Sequence, residues 1–155
     1  GTYLRWFTER TREEIETLEA EAATRPEARQ SQRALALDIT VRTHGNDAAA
    51  TAVRDSEAMF GVDAIGDPSV LASIHGSTRG FSFTAEALAA GVAVLLADAG
   101  VLASRGEARR LIAGGGVTVN GQRATDPALV PDLIAGEWLD VRLGKRRREI
   151  GRLVR

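Results

Sequence analysis

The sequence predicts an α+β protein: a small helical bundle, then a small domain in which two helices pack on a short antiparallel sheet. Three observations carry this. The first sixty residues are a series of capped, helix-periodic runs with no alternating segment. Ser104 to Ala124 reads as one capped helix feeding straight into a hairpin. Two alternating stretches, Trp138–Leu143 and Arg147–Val154, then close the chain as strands.

Taken in order, Tyr3-Leu4-Arg5-Trp6-Phe7 places three aromatics in one turn, and they need a core to sit against. Their place at the start of the chain predicts that the sequence begins within a longer protein. Thr8 or Thr11 can cap the next helix, with Glu13, Glu14 and Glu16 favourable near its positive end. Ile15 and Leu18 mark its buried side. Thr24-Arg25-Pro26 breaks it, and Pro26 suits the first turn of a helix running to His44. Ala34, Leu35, Leu37, Ile39 and Val41 make that helix apolar over much of its circumference, which predicts a central position. Gly45 ends it, with His44 placed to cap against the helix dipole. Asn46 or Asp47 caps a third helix to about Phe60, with Ala50, Val53, Met59 and Phe60 expected inward.

Residues 62–90 change character, with Gly66, Pro68, Gly76, Gly80 and an Asp67-Pro68 turn signal. They read as a linker with short irregular pieces, to which Phe81-Ser82-Phe83 adds an extended segment. His75 has no partner in sequence and receives no role. The predicted domains are therefore 1–61, a linker over 62–90, and 91–155.

The last domain opens with a helix from Val92 to Ala99, ended by Gly100. Ser104 and Glu107 then form a capping box, in which the serine takes a backbone donor and the glutamate reaches back to the cap. Ala108, Leu111 and Ile112 give the helix an apolar stripe. Arg105 and Arg109 lie one turn apart on the opposite face, with Arg110 beside them. Gly114, Gly115 and Gly116 end it, because the residue after a helix wants positive φ. Val117-Thr118-Val119 alternate, and Asn120-Gly121 is the strongest short signal for a type I′ hairpin turn. Gln122, Arg123 and Ala124 start the return strand.

The 155 residues carry a formal net charge of −1, but unevenly. Residues 1–103 sum to −6, and residues 104–155 to +5. Such asymmetry marks a basic binding module. Lys145 is the only lysine, so the cations are almost all arginine, which suits forked phosphate contacts and stacking on bases. No cysteine and only two histidines argue against a disulfide framework or a metal site. No run has transmembrane length, no serine–histidine–acid set or carboxylate pair stands out, and the expected compartment is the cytoplasm.

The string Ser-Arg-x-Glu-Ala-Arg-Arg-Leu-Ile, a glycine turn, Val-x-Val-Asn-Gly and Asp126-Pro127 resembles the small RNA-binding domain first named for a small-subunit ribosomal protein, the S-four-type domain. The resemblance covers roughly Val92 to the C-terminus. It implies a helix–hairpin face that docks on structured RNA. The RNA surface is then expected from Arg105, Arg109 and Arg110, from Asn120, Gln122 and Arg123, and from the turn Lys145, Arg146, Arg147 and Arg148. RNA helices are read mainly by shape, through phosphate and 2′-hydroxyl contacts, and these residue types suit that. The glycines at 114–116 follow a helix instead of crowning one, so turn chemistry outweighs phosphate binding there.

The first half resembles a second pattern. Tyr-Leu-Arg-Trp-Phe-Thr, Glu-Glu-Ile-Glu-x-Leu-Glu, Ala-Leu-Ala-x-Asp-Ile-Thr-x-x-x-His-Gly and an Ala-rich helix ending in Met-Phe look like the helical anticodon-binding region of bacterial tyrosyl-tRNA synthetases. In that family a linker and an S-four-type domain follow, the order seen here. The resemblance implies a class I synthetase that joins tyrosine to its tRNA using ATP, and a tyrosine-accepting tRNA with a long variable arm as partner. The catalytic domain with its His-Ile-Gly-His-like and Lys-Met-Ser-Lys-Ser-like signatures is absent from this sequence. No catalytic residue, metal or cofactor is therefore expected in it, ATP being a substrate of the parent enzyme. The parent is expected to be a homodimer through the missing domain, and this chain alone a monomer with no membrane partner. Two alternatives remain: a free-standing S-four-type protein acting on ribosomal RNA or ribosomes, and a protein-interaction module.

Overall fold

A computed structural model describes residues 1–77 and 80–154. The chain divides into two compact units, Gly1–Arg54 and Asp55–Arg155.

The first unit is helical. It holds α1 (Thr2–Phe7), α2 (Arg12–Thr24), a 3₁₀ turn (Pro26–Ala28), α3 (Gln30–His44) and the start of α4 (Asn46–Phe60). Thr11 is the cap of α2: its hydroxyl accepts from Glu14 N, and Glu14 reaches back to Thr11 N at 2.7 Å. Leu4, Ile15 and Ala49 are the buried apolar side chains of this unit. So small a core leaves polar ties between helices prominent. Arg10 grips Asp38 with two bonds of 2.6 and 2.9 Å, and Ser31 Oγ donates to Leu18 O at 3.0 Å.

Three expectations for these helices are corrected. The segment from Pro26 to His44 is two pieces, because Arg29 adopts a left-handed φ of 52° between the 3₁₀ turn and α3. The α3 helix is not central, for none of its residues is buried. Its apolar side chains point to several sides, and Leu37 and Ile39 remain substantially exposed. In α4 the inward residues are Ala49, Ala58 and Met59, whereas Ala50, Val53 and Phe60 face out.

The second unit is a five-stranded mixed sheet, order β1-β5-β4-β2-β3, with β1 (Gly80–Phe83), β2 (Val117–Val119), β3 (Gln122–Arg123), β4 (Trp138–Leu143) and β5 (Arg147–Leu153). Four strands pair antiparallel as expected, but β1 runs parallel to β5 with Phe81 opposite Gly151. A methyl group on Gly151 would collide with the Phe81 ring, which explains a glycine inside a strand.

Residues 62–90 are therefore no linker. They carry α5 (Pro68–Ser77), β1 and α6 (Ala85–Ala89). Asp67-Pro68 starts a helix instead of a loop: Asp67 Oδ1 accepts from Ser69 N at 2.8 Å, and Pro68 takes the first helical position. Val70, Leu71 and Ile74 of α5 are buried, as are the alternating Phe81 and Phe83. Residues 78 and 79 of this stretch lie outside the described residues.

The alternation of β4 divides the core. Leu139, Val141 and Leu143 join α7 (Val92–Asp98) and α8 (Arg105–Ala113) on one face. Trp138 joins Ile150, Ile65, Val70, Leu71 and Ile74 on the other. His75 closes the second cluster, with Nε2 at 3.2 Å from Phe81 O and its ring edge-on to Trp138.

Candidate nucleic-acid interface

The α8 helix starts where the sequence placed it. Ser104 Oγ accepts from Glu107 N at 3.1 Å, and Glu107 Oε2 accepts from Ala103 N at 2.8 Å, one residue before the cap. Ala108 and Ile112 are buried and Leu111 half-buried, so Arg105, Arg109 and Arg110 are left outside. Gly115, with φ of 69°, takes the left-handed position after the helix, and Gly116 N donates to Leu111 O at 2.8 Å. The chain turns directly into β2. Asn120 and Gly121 have φ of 50° and 80°, as a type I′ turn requires.

Backbone and side-chain bonds tie three segments into one neighbourhood. Gly144 N, in the β4–β5 turn, donates to Gly116 O at 2.8 Å. Arg123 Nε donates to Gly115 O at 3.1 Å. Arg147 Nη2 reaches Val101 O, between α7 and α8, at 2.8 Å. The end of α8, the β2–β3 hairpin and the β4–β5 turn therefore lie together.

The ten candidate side chains fall into three groups. Arg109, Arg110, Gln122, Lys145 and Arg146 are exposed and have no hydrogen-bond or ion-pair partner among the described residues. Their charge or amide is available to an incoming ligand. Arg105, Arg123 and Arg147 are exposed but tethered: Arg105 to Asp98 at 2.9 Å, Arg123 to Gly115 O, and Arg147 to Glu149 at 2.8 Å and to Val101 O. A tether fixes the guanidinium while leaving some donors free.

Asn120 and Arg148 form the third group, and the surface role expected for them is corrected. Asn120 spends its amide internally, accepting from Asp140 N at 2.8 Å and donating to Asp132 O at 2.7 Å. Arg148 is 3% exposed. Strand alternation explains this: Arg147 and Glu149 share one face of β5, and Arg148 points to the α5 side. There its Nε and Nη2 bind Asp140 at 2.7 and 2.5 Å, and its other donors go to Asp63 O, Gly61 O and Ala58 O. All five guanidinium donors are occupied.

Sequence reasoning missed Asp140 and Arg142. The usable signal was their period: Trp138, Asp140 and Arg142 share one face of a strand whose other face is wholly apolar. An acid beside a tryptophan on a covered face needs a buried cation. No helix among the described residues is long and apolar enough to cross a membrane.

Residues 91–130 match the S4 domain. A tyrosine–tRNA ligase from Nocardia farcinica is 38% identical over 93% of this chain and 35% of its own length. Those of Mycobacterium tuberculosis and Streptomyces coelicolor are 39% and 36% identical, over 93% and 94% of this chain. The chain spans about a third of the length of these relatives. It thus contains an S4 domain and is similar, along nearly all of its sequence, to the C-terminal part of tyrosine–tRNA ligases.

Proposed function

We propose that this chain is the tRNA-binding C-terminal portion of a class I tyrosine–tRNA ligase, which attaches tyrosine to its tRNA with ATP. The observation that carries the reading is the coincidence of a synthetase-like sequence over 93% of the chain with cations on the α8 helix and the β4–β5 turn that have no partner among the described residues. The similarity extends well beyond residues 91–130, which a free-standing S4 protein would not require.

In this reading Arg109, Arg110, Lys145 and Arg146 neutralise RNA phosphates. Arg105, Arg123 and Arg147 present guanidinium groups held in place by their tethers, and Gln122 adds a 2′-hydroxyl or base-edge contact. Such a surface positions an RNA more than it reads sequence, because phosphate contacts carry no base information. Activation of tyrosine, the main dimer interface and the ATP site belong to the part of the enzyme outside this chain. The chain alone is monomeric, has no cofactor and works in the cytoplasm.

The test is a mobility shift with a tyrosine-accepting tRNA transcript at low salt, beside tyrosine-dependent ATP–pyrophosphate exchange. Binding without exchange is expected. Exchange by the pure chain, or no shift at low salt, would contradict the reading.

A further inference from the structure

Phe60 and Val62 are the most exposed large apolar side chains among the described residues, at 83% and 84%. They follow Ala58 and Met59, which pack inward against the cluster of Ile65, Leu71 and Trp138. The segment that bears them is not loose. Its carbonyl groups turn toward two arginines: Arg148 takes those of Ala58, Gly61 and Asp63, and Arg142 Nη1 takes that of Val62 at 2.8 Å. Ile65 N closes the segment on Asp140 Oδ2 at 3.0 Å. With the carbonyls drawn in, Phe60 and Val62 are held outward. An aromatic side chain left in water forgoes the stabilisation of burial.

The location connects this ledge to the basic surface. A methyl group built on Gly121 would stand 3.0 Å from the Ala64 methyl, so the tip of the β2–β3 hairpin lies against the same segment. The hairpin carries Gln122 and Arg123, and Arg142 adds a cation beside Val62. An exposed aromatic face on a segment that also meets cations suits an unstacked base, since every base offers a π-face and its neighbouring phosphate seeks positive charge.

We propose that Phe60, flanked by Val62, is a stacking platform for one unpaired nucleobase of the RNA that the basic face binds. The proposal rests on the RNA-binding reading above. It adds a contact that is neither a phosphate contact nor part of the matched segment 91–130.

The experiment measures affinity of the 155-residue chain for a tyrosine-accepting tRNA transcript, as a function of salt, for Phe60→Tyr, Phe60→Leu and Phe60→Ala. Circular dichroism controls for folding, which an 83% exposed side chain should not disturb. Tyr should bind like the unaltered chain. Leu and Ala should weaken binding, Ala by roughly 5- to 150-fold. The log–log salt slope should stay unchanged, because every phosphate-binding cation remains in place. Full affinity in the Leu or Ala variant, with the unaltered chain still binding, would overturn the stacking platform and leave the basic face standing. A concentration-dependent dimer abolished by Phe60→Ala would assign the ledge to a second copy and also overturn it. Failure of the unaltered chain to bind would overturn the RNA reading itself.

Discussion

Arg148 and Asp140 form a bidentate ion pair, 2.7 and 2.5 Å long, with both side chains almost wholly excluded from solvent. Asp140 also receives Ile65 N, and Arg148 also holds three carbonyl groups between residues 58 and 63. Removing either partner leaves a buried charge unpaired, which costs about 3–5 kcal/mol. Arg148→Ala should lower unfolding free energy by that amount, measured by urea denaturation. A change under about 0.5 kcal/mol, the range of an ordinary surface substitution, would show that Arg148 is not a structural residue.

Gly121 has φ of 80° and a neighbour at Ala64. Gly121→Val should destabilise the second unit by about 1–3 kcal/mol, through left-handed strain in a β-branched residue. The same change at Gly76, where neither crowding nor a positive φ exists, loses only glycine's flexibility in a helix. Thermal unfolding of the two variants compares them directly, and equal midpoints would contradict the turn assignment.

The cap of α2 gives a pH dependence. Hydrogen bonds from the Thr11 backbone and hydroxyl, with Arg10 nearby, hold the Glu14 carboxyl below its ordinary value, while desolvation and Asp38 oppose them. A depressed carboxyl stabilises the fold above its unfolded value and loses that contribution as pH falls through the folded one. The helicity difference between the parent chain and Glu14→Gln should therefore be fully present above the ordinary carboxylate range and shrink as pH falls and Glu14 protonates. A constant difference across all pH values would contradict the capping role.

Local chemistry made much of this legible. The Ser104 cap, the glycine stop, the Asn120-Gly121 turn and the strands β4 and β5 each follow from a few adjacent residues. What escaped depends on distant partners. Residues 62–90 look like a linker because Gly66, Pro68 and Gly76 dominate the string, yet Val70, Leu71 and Ile74 find Trp138 and Ile150 far along the chain. Arg148 sits in a run of four cations and reads as surface, but strand alternation buries that one member against Asp140. The outward face of Phe60 was hidden for the same reason: carbonyl groups held by Arg142 and Arg148 decide where its side chain points.

The cations of α8 and the β4–β5 turn that have no partner among the described residues are proposed to bind tRNA phosphates. The most direct measurement is affinity for a tyrosine-accepting tRNA against salt, for the unaltered chain and for Arg109→Ala with Arg110→Ala. Both residues lie outside the apolar stripe of Ala108 and Ile112, so stability should change by less than about 0.5 kcal/mol for each exposed site. Each phosphate no longer neutralised should flatten the log–log salt slope by roughly 0.7–0.9. Weaker binding is expected, with a slope reduced by one to two such steps and unchanged preference among RNAs. Equal affinity and equal slope for two folded proteins would contradict it.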